Sequence, residues 1–270
     1  MTQMALILML GHALANTRPV KRLLASLASI PATPVQAYVF VCVIAALASL
    51  ITWGLGLVVG GLLAREVAGQ MRYKGVRLHF PMLVAAGYSG YVVWHMGYSG
   101  SGPLTAATEG SFLALHMGTT IPLSATTFST QNISVALVTI VVVALALALV
   151  APCDDASIVE LDVDARDKLP LPKDDISTPA DRLDASRILT SLVGLALVAY
   201  LVIHFTDGGS LTLDIVNWSF LALIFLVVRN SFEMIALIKS AASNVGDILL
   251  QFPLYAGNLR FSGLFGCRHR

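Results

Sequence analysis

The run from Val35 to Ala64 holds thirty residues without a single charge, and no other feature of the chain limits its fold as strongly. A helix needs about 20 apolar residues to cross a hydrocarbon core of about 30 Å. Further apolar runs follow at Phe80–Gly97, Ile133–Ala151, Ile188–Phe205 and Ile215–Val228, and Met4–Ala15 reads as a membrane helix that starts abruptly. The chain is 56% hydrophobic and 12% charged, with a mean hydropathy of +0.78, against about 25% charged in soluble domains. The expectation is an all-α polytopic membrane protein whose first partner is the lipid bilayer.

Several function classes drop out at once. The formal net charge of +1 gives no basic surface for nucleic acid, because the asymmetry of charge lies between loops. Cys42, Cys153 and Cys267 are far apart, with no CxxC or Cys/His spacing, so neither a metal site nor a disulfide framework is expected. Met4–Ala15 lacks a basic n-region before it and a small-residue cleavage site, so it does not read as a signal peptide. No G-x-S-x-G elbow, Walker-type phosphate loop, dinucleotide fingerprint or H-E-x-x-H is present, which argues against an enzyme and against ATP-driven transport by this chain alone.

Lys and Arg in short loops favour the cytoplasm. Arg18, Lys21 and Arg22 mark one cytoplasmic segment, and Arg65, Arg72, Lys74 and Arg77 mark the next. Both flanks of Val35–Ala64 then lie on one side, which a simple crossing cannot satisfy and a re-entrant helical hairpin can. Thr52-Trp53-Gly54-Leu55-Gly56 supplies its tip; the alternative is one long tilted helix kinked at glycine. With the hairpin accepted, Phe80–Gly97 runs outward, Ile133–Ala151 returns, Ile188–Phe205 goes out and Ile215–Val228 comes back. Residues 152–186 gather ten of the sixteen acidic residues with four basic ones and four prolines, and read as a solvated acidic linker on the cytoplasmic side.

Chemistry in such a chain is expected where helices break, since half-helix N-termini offer N–H groups to anions. The Thr52–Gly56 tip is one break. The other is Trp94–Pro103, with three glycines and two serines in ten residues; the alternative is an exposed external loop. The candidate substrate-binding residues are therefore Thr52, Trp53, Gly54 and Gly56 from the first, with Trp94, His95, Tyr98, Ser99, Gly100 and Ser101 from the second. His12 reads equally as a packing residue or a proton carrier. His116, Glu109, Asp214 and His204 read as water-facing helix ends, and Glu233, Lys239 and Asp247 fall on an amphipathic stretch, Phe232–Leu250, that packs on the bundle or lies on the membrane surface.

At these residues the chain resembles the bacterial short-chain fatty acid transporters. The resemblance runs from Met4 to Ala256 through Met4-Ala5-Leu6-Ile7, Gly11-His12-Ala13-Leu14-Ala15, Pro19-Val20-Lys21, Thr33-Pro34-Val35-Gln36, Trp53–Gly60, Ala64–Ala68, Tyr98–Leu104, Arg187–Thr190 and Gln251–Gly257. It implies an inner-membrane secondary transporter for small monocarboxylates such as acetoacetate or butyrate. It also implies an ion-transporter-like fold of two inverted repeats, each with a re-entrant hairpin and an unwound helix, coupled to H+ or Na+ with no other cofactor. The chain departs from the family pattern at Thr52, where Asn is usual, at His95 and Met96, where glycines stand, and at Gly102, where a larger residue stands. Substrate identity and coupling ion stay open on that account.

The resulting division is a first transmembrane repeat over 1–151, with its hairpin at about 35–64 and its unwound helix at about 80–107. The acidic linker follows over 152–186 and the start of a second, incomplete repeat over 187–257. The tail, 258–270, turns basic where the family stays apolar and reads as a frameshift or premature stop; together with a helix that relatives carry before Met4, it suggests truncation at both ends and a fragment inactive by itself. The alternative is a membrane component that does not transport, either a relic or the assembly partner of another chain. A homo-oligomer is compatible with the sequence.

Overall fold

The structure, a computed structural model, describes residues 2–152, 158–161, 176–243, 246 and 254. Among them every regular element is helical. The early elements are α1 (Thr2–Ala15), α2 (Arg18–Leu27), α3 (Pro34–Ile51), α4 (Trp53–Tyr73) and α5 (Phe80–Ser89), the last continuing as a 3-10 helix over Gly90–Met96. Two short helices, α6 (Ser101–Ala107) and α7 (Phe112–Met117), lead to α8 (Thr130–Val150). Beyond it come α9 (Pro179–Asp184), α10 (Arg187–Thr206), α11 (Leu213–Val227) and α12 (Ser231–Ser243). Three of these, Pro34–Ile51, Thr130–Val150 and Arg187–Thr206, are long and apolar enough to cross a membrane, and the chain's tail and Asp247 lie outside the described residues.

Local chemistry fixes where α3 begins and ends. Pro34 occupies the first turn, where its missing N–H costs nothing, and the Thr33 hydroxyl accepts the Gln36 N–H at 3.3 Å while Gln36 Oε1 accepts the Ala32 N–H at 3.1 Å. At the other end Thr52 is extended, φ −155° and ψ 143°, and the chain reverses there into α4. The two helices run antiparallel with Gly56 against Ser49 and Gly60 against Ala45. A Cβ on Gly56 would overlap the Ser49 hydroxyl, so glycine is required for this approach. On its other face Gly60 meets Gly87 of α5, where an added Cβ on either would come 2.9 Å from the other's carbonyl oxygen. Three elements thereby pack backbone to backbone, the arrangement small residues permit between membrane helices.

The outer helices read differently. Of α8 only Ala136, Ile140 and Ala144 are buried, one row at four-residue spacing; Val143 and Leu147 pack partly on the core, and most of its other apolar side chains are exposed. In α10 only Thr190 and Gly194 are buried, the glycine against Leu226 of α11. Such helices suit contact with lipid, since their backbone is satisfied internally. α1 packs across the hairpin through Gly11 and Gly54 and is covered on its far side by α11 and α12.

Basic residues tie the base of the hairpin and the later helices together. The Lys74 ammonium donates to the Ser29 and Pro31 carbonyls at 2.7 and 2.9 Å, which ties the end of α4 to the start of α3. Arg18 pairs with Glu233 at 3.1 Å, Glu233 accepts the Arg229 N–H at 2.7 Å, and Arg187 donates to the Leu226 carbonyl at 3.1 Å. α12 therefore packs on the bundle. Part of the acidic segment docks at the base of the hairpin. Phe80 N–H donates to the Val159 carbonyl at 2.8 Å, Val159 N–H to His79 Nδ1 at 3.0 Å, and Arg72 to the Leu161 carbonyl at 3.0 Å, while Arg77 pairs with Glu160 at 2.9 Å. Residues 158–161 are thus a strap on the bundle within a stretch whose composition suggests only solvated linker.

Candidate functional site

The tip of the hairpin is a helix end without a cap. The N–H groups of Trp53, Gly54 and Leu55 open α4 and find no acceptor among the described residues, and the Thr52 side chain does not cap them. A 21-residue helix carries partial positive charge at such an N-terminus. Buried polar groups normally have partners, so unpartnered ones call for an explanation. Thr52 Oγ1, Trp53 Nε1 and Ser99 Oγ are all buried without a hydrogen-bond partner, Thr52 and Ser99 being 0% and 1% exposed.

The second break comes to the first through the backbone. Tyr98 N–H donates to the Leu50 carbonyl at 2.7 Å, one of the carbonyls that α3 leaves free at its C-terminus. Gly97 sits directly on Leu50, with no room for a Cβ. Between the breaks lies an aromatic stack. Trp53 and Trp94 ring centroids are 6.2 Å apart, Tyr91 and Trp94 stack at 5.7 Å, and the His95 ring lies 3.5 Å from Trp94. Tyr98 packs against the apolar cluster that holds Val216 and Phe220 of α11, which links this half to the later helices.

The ten sequence candidates fall into three groups. Thr52, Trp53 and Ser99 bring unpartnered polar atoms into the buried junction. Gly54, Gly56 and Gly100 are close-approach positions, against Leu8, Ser49 and the His95 carbonyl respectively. Trp94, in the stack, and Tyr98 are half-buried, His95 is exposed, and Ser101 opens α6 with its carbonyl accepting the Thr105 hydroxyl at 2.6 Å. The candidates overlooked in the sequence are neutral polar groups. Thr126, Thr127 and Asn217 also have buried side-chain atoms with no partner. An amide inside the apolar run of α11 is a visible signal, but attention to ionisable residues alone passes over it. Among the described residues no group of three His, Cys, Asp or Glu could hold a metal ion.

Buried polar atoms without partners thus lie on both broken segments, on Thr52 and Trp53 of the first and on Ser99 of the second, and the Tyr98–Leu50 bond and the Trp53–Trp94 ring contact join the two segments. Comparison with known proteins gives a consistent picture. The family model for "Short chain fatty acid transporter" matches residues 1–266. A "Putative short-chain fatty acid transporter" of Escherichia coli (strain K12) is 38% identical over 98% of this chain and 60% of its own length. A protein of the same name from Haemophilus influenzae (strain ATCC 51907 / DSM 11121 / KW20 / Rd) is 34% identical over 98% of this chain and 61% of its own. The chain spans about three fifths of the length of these relatives. No solved structure matches it.

Proposed function

This chain belongs to the short chain fatty acid transporter family, and from that premise we propose that it forms the substrate-binding part of a secondary transporter for small monocarboxylates, butyrate or acetoacetate, in the bacterial inner membrane. One observation carries the reading: the uncapped N-terminus of α4 opens beside the buried, unpartnered Thr52, Trp53 and Ser99 groups. A carboxylate would supply acceptors to all of them, and the short alkyl chain would lie against Trp53 and Trp94. Hydroxyls and N–H groups bind the anion without the desolvation cost of a buried countercharge.

The same reading makes the hairpin re-entrant. Arg65 and Glu66 stand twelve and thirteen residues after Trp53, and charges resist the hydrocarbon core. Only Trp53–Ala64 then lies in the core, about 18 Å at 1.5 Å per residue, which sets the tip a little past the middle of a layer of about 30 Å. The bonds from Lys74 to Ser29 and Pro31 hold both flanks at one end of the bundle. Residues 1–151 act as one repeat, an inverted second repeat begins after Ser186, and transport is coupled to H+ or Na+. Single cysteines at Ala25 and Gly75 test the topology: an impermeant periplasmic reagent should label neither, and labelling of one alone would rule out the hairpin.

Binding can be read without transport. The chain has three tryptophans, two of them at the junction, and Trp218→Phe removes the third. Butyrate should shift the emission of that variant saturably, and the double change Thr52→Val, Ser99→Ala should abolish the shift. A titration with no response in the unsubstituted site would reject the carboxylate reading.

A further inference from the structure

The 3-10 helix that leads into the second break ends at Met96, and its last carbonyl has no main-chain donor: Tyr98 N–H goes to Leu50, and Gly100 N–H goes to Gly97 at 3.1 Å. Away from water, a free carbonyl costs several kcal/mol unless a donor reaches it. The donor here comes from 36 residues away. Asn132, in the first turn of α8, donates from Nδ2 to the Met96 carbonyl at 2.9 Å and from the same nitrogen to the Thr127 carbonyl at 2.8 Å. Both partners are carbonyl oxygens, so only the amide nitrogen, with its two hydrogens, can serve both, and the orientation of the side chain is thereby fixed.

We infer that Asn132 is a positioning residue for the binding junction, a single amide that clamps the broken end of the 3-10 helix to the loop before α8 and so holds Ser99 in place. The inference rests on the proposed carboxylate site for its functional meaning, and on the two hydrogen bonds for its geometry. α8 otherwise joins the bundle through apolar packing, Ala136, Ile140 and Ala144 with Val143 and Leu147, and Ile140 meets Val93 of the 3-10 helix. The amide is thus the specific link between an outer, lipid-facing helix and the break. Movement of α8 would be transmitted to the break through it. Asp at this position would keep the shape and replace both donors by acceptors, turning two attractions into repulsions.

The test reads the break itself, with no ligand present. In a background with Cys42, Cys153 and Cys267 replaced by Ala, Ser99→Cys places a thiol at a site that is 1% exposed, and its rate of reaction with N-ethylmaleimide reports opening of the segment. Leaving a part-buried carbonyl unpaired should raise that rate about five- to a hundredfold in Asn132→Asp and Asn132→Ala. Ser129→Ala is the control for a merely structural role, since the Ser129 hydroxyl accepts the Asn132 backbone N–H at 3.2 Å as the cap of α8; it should change the rate less than about twofold. Equal rates in Asn132→Asp and its parent, or equal acceleration by Ser129→Ala, would overturn the inference. Should the Asn132 variants fail to fold, exchange of the Asn132 side-chain amide protons in the unsubstituted chain decides: slow exchange supports the clamp, and exchange as fast as that of the exposed Gln131 amide refutes it. A failed butyrate titration would count against the proposed function and leave this comparison standing.

Discussion

The two ends of the hairpin differ in how their polar groups are satisfied. At the base, Lys74 holds two carbonyls, Arg72 a third, Arg77 pairs with Glu160, and His79 and Phe80 bond both polar groups of Val159. At the tip, three helix N–H groups and the side chains of Thr52, Trp53 and Ser99 are left without partners in a more buried setting. Water can reach the base and would repair a lost bond there, yet that is the end where bonds are doubled; the tip cannot be repaired and is left open. On the carboxylate reading proposed above, the base is the anchor and the tip is the end that a bound carboxylate would complete.

The sharpest way to break this contrast is to separate the two broken segments. Gly97 lies directly on Leu50, so Gly97→Ala must push them apart, lose the Tyr98–Leu50 bond and overpack the junction. Together these should cost about 3 kcal/mol or more, read as a lower unfolding midpoint in detergent. Gly102→Ala is the companion, because an added Cβ there meets nothing within 4 Å, and it should leave the midpoint unchanged. Equal effects would mean that the junction is not packed as described.

A smaller effect of opposite sign is expected from the vacant groups. Thr52→Val replaces a buried, unpartnered hydroxyl by a methyl of the same shape, and Ser99→Ala removes another. Each should stabilise the ligand-free protein by about 1 kcal/mol, because the desolvation penalty disappears with the group, while butyrate binding weakens. Destabilisation by both changes would show that the hydroxyls have structural partners, and the vacancy argument would fail.

Much of this was legible in the sequence, and the limits have physical causes. The absence of charge from Val35 to Ala64 and the glycines at 54 and 56 mark the reversal, because charge and backbone freedom are written in single residues. Their packing role is not: Gly56 matters for Ser49, seven residues back, and Gly60 for Gly87, 27 residues on. The junction of Tyr98 with Leu50 is a main-chain bond and leaves no trace in side-chain chemistry. The strap shows the opposite error. Residues 158–161 are Ile-Val-Glu-Leu, an apolar island among acids, and averaging over the whole stretch hides it.

The strap also provides a mild test of the base. Glu160→Ala removes a pair whose partners are 54% and 37% exposed, so the loss should be under about 1 kcal/mol, with the Val159 and Leu161 backbone bonds surviving. Hydrogen exchange at Phe80 should remain slow in that variant. Fast exchange there would make the ion pair the organiser of the strap and the base less redundant than it looks.

The smallest expected effect is a titration confined to the approach to α10, and its value is that the tip should ignore it. Thr178 caps α9 by accepting the Asp181 N–H at 3.2 Å, and the Asp181 carboxylate reaches back to the Thr178 hydroxyl at 2.7 Å, the Thr178 N–H at 2.6 Å and both donors of Ser177. These donors, those of Thr178 first, hold the Asp181 carboxyl below its ordinary 3.8. A carboxyl with a depressed pKa in the folded chain stabilises it above the unfolded value and loses that contribution as pH falls through the folded one. The capping box should therefore be intact at neutral pH and open only in acid below 3.8, seen as faster exchange of the Thr178 and Asp181 amides relative to their intrinsic rates. Asp181→Asn keeps an acceptor oxygen but cannot titrate there, and should flatten that pH dependence. Trp53 and Trp94 emission should not follow the Asp181 transition, since no described contact joins α9 to the junction. A tryptophan change that tracks it in the parent and vanishes in Asp181→Asn would couple α9 to the tip and show that the tip is not insulated from the rest of the chain.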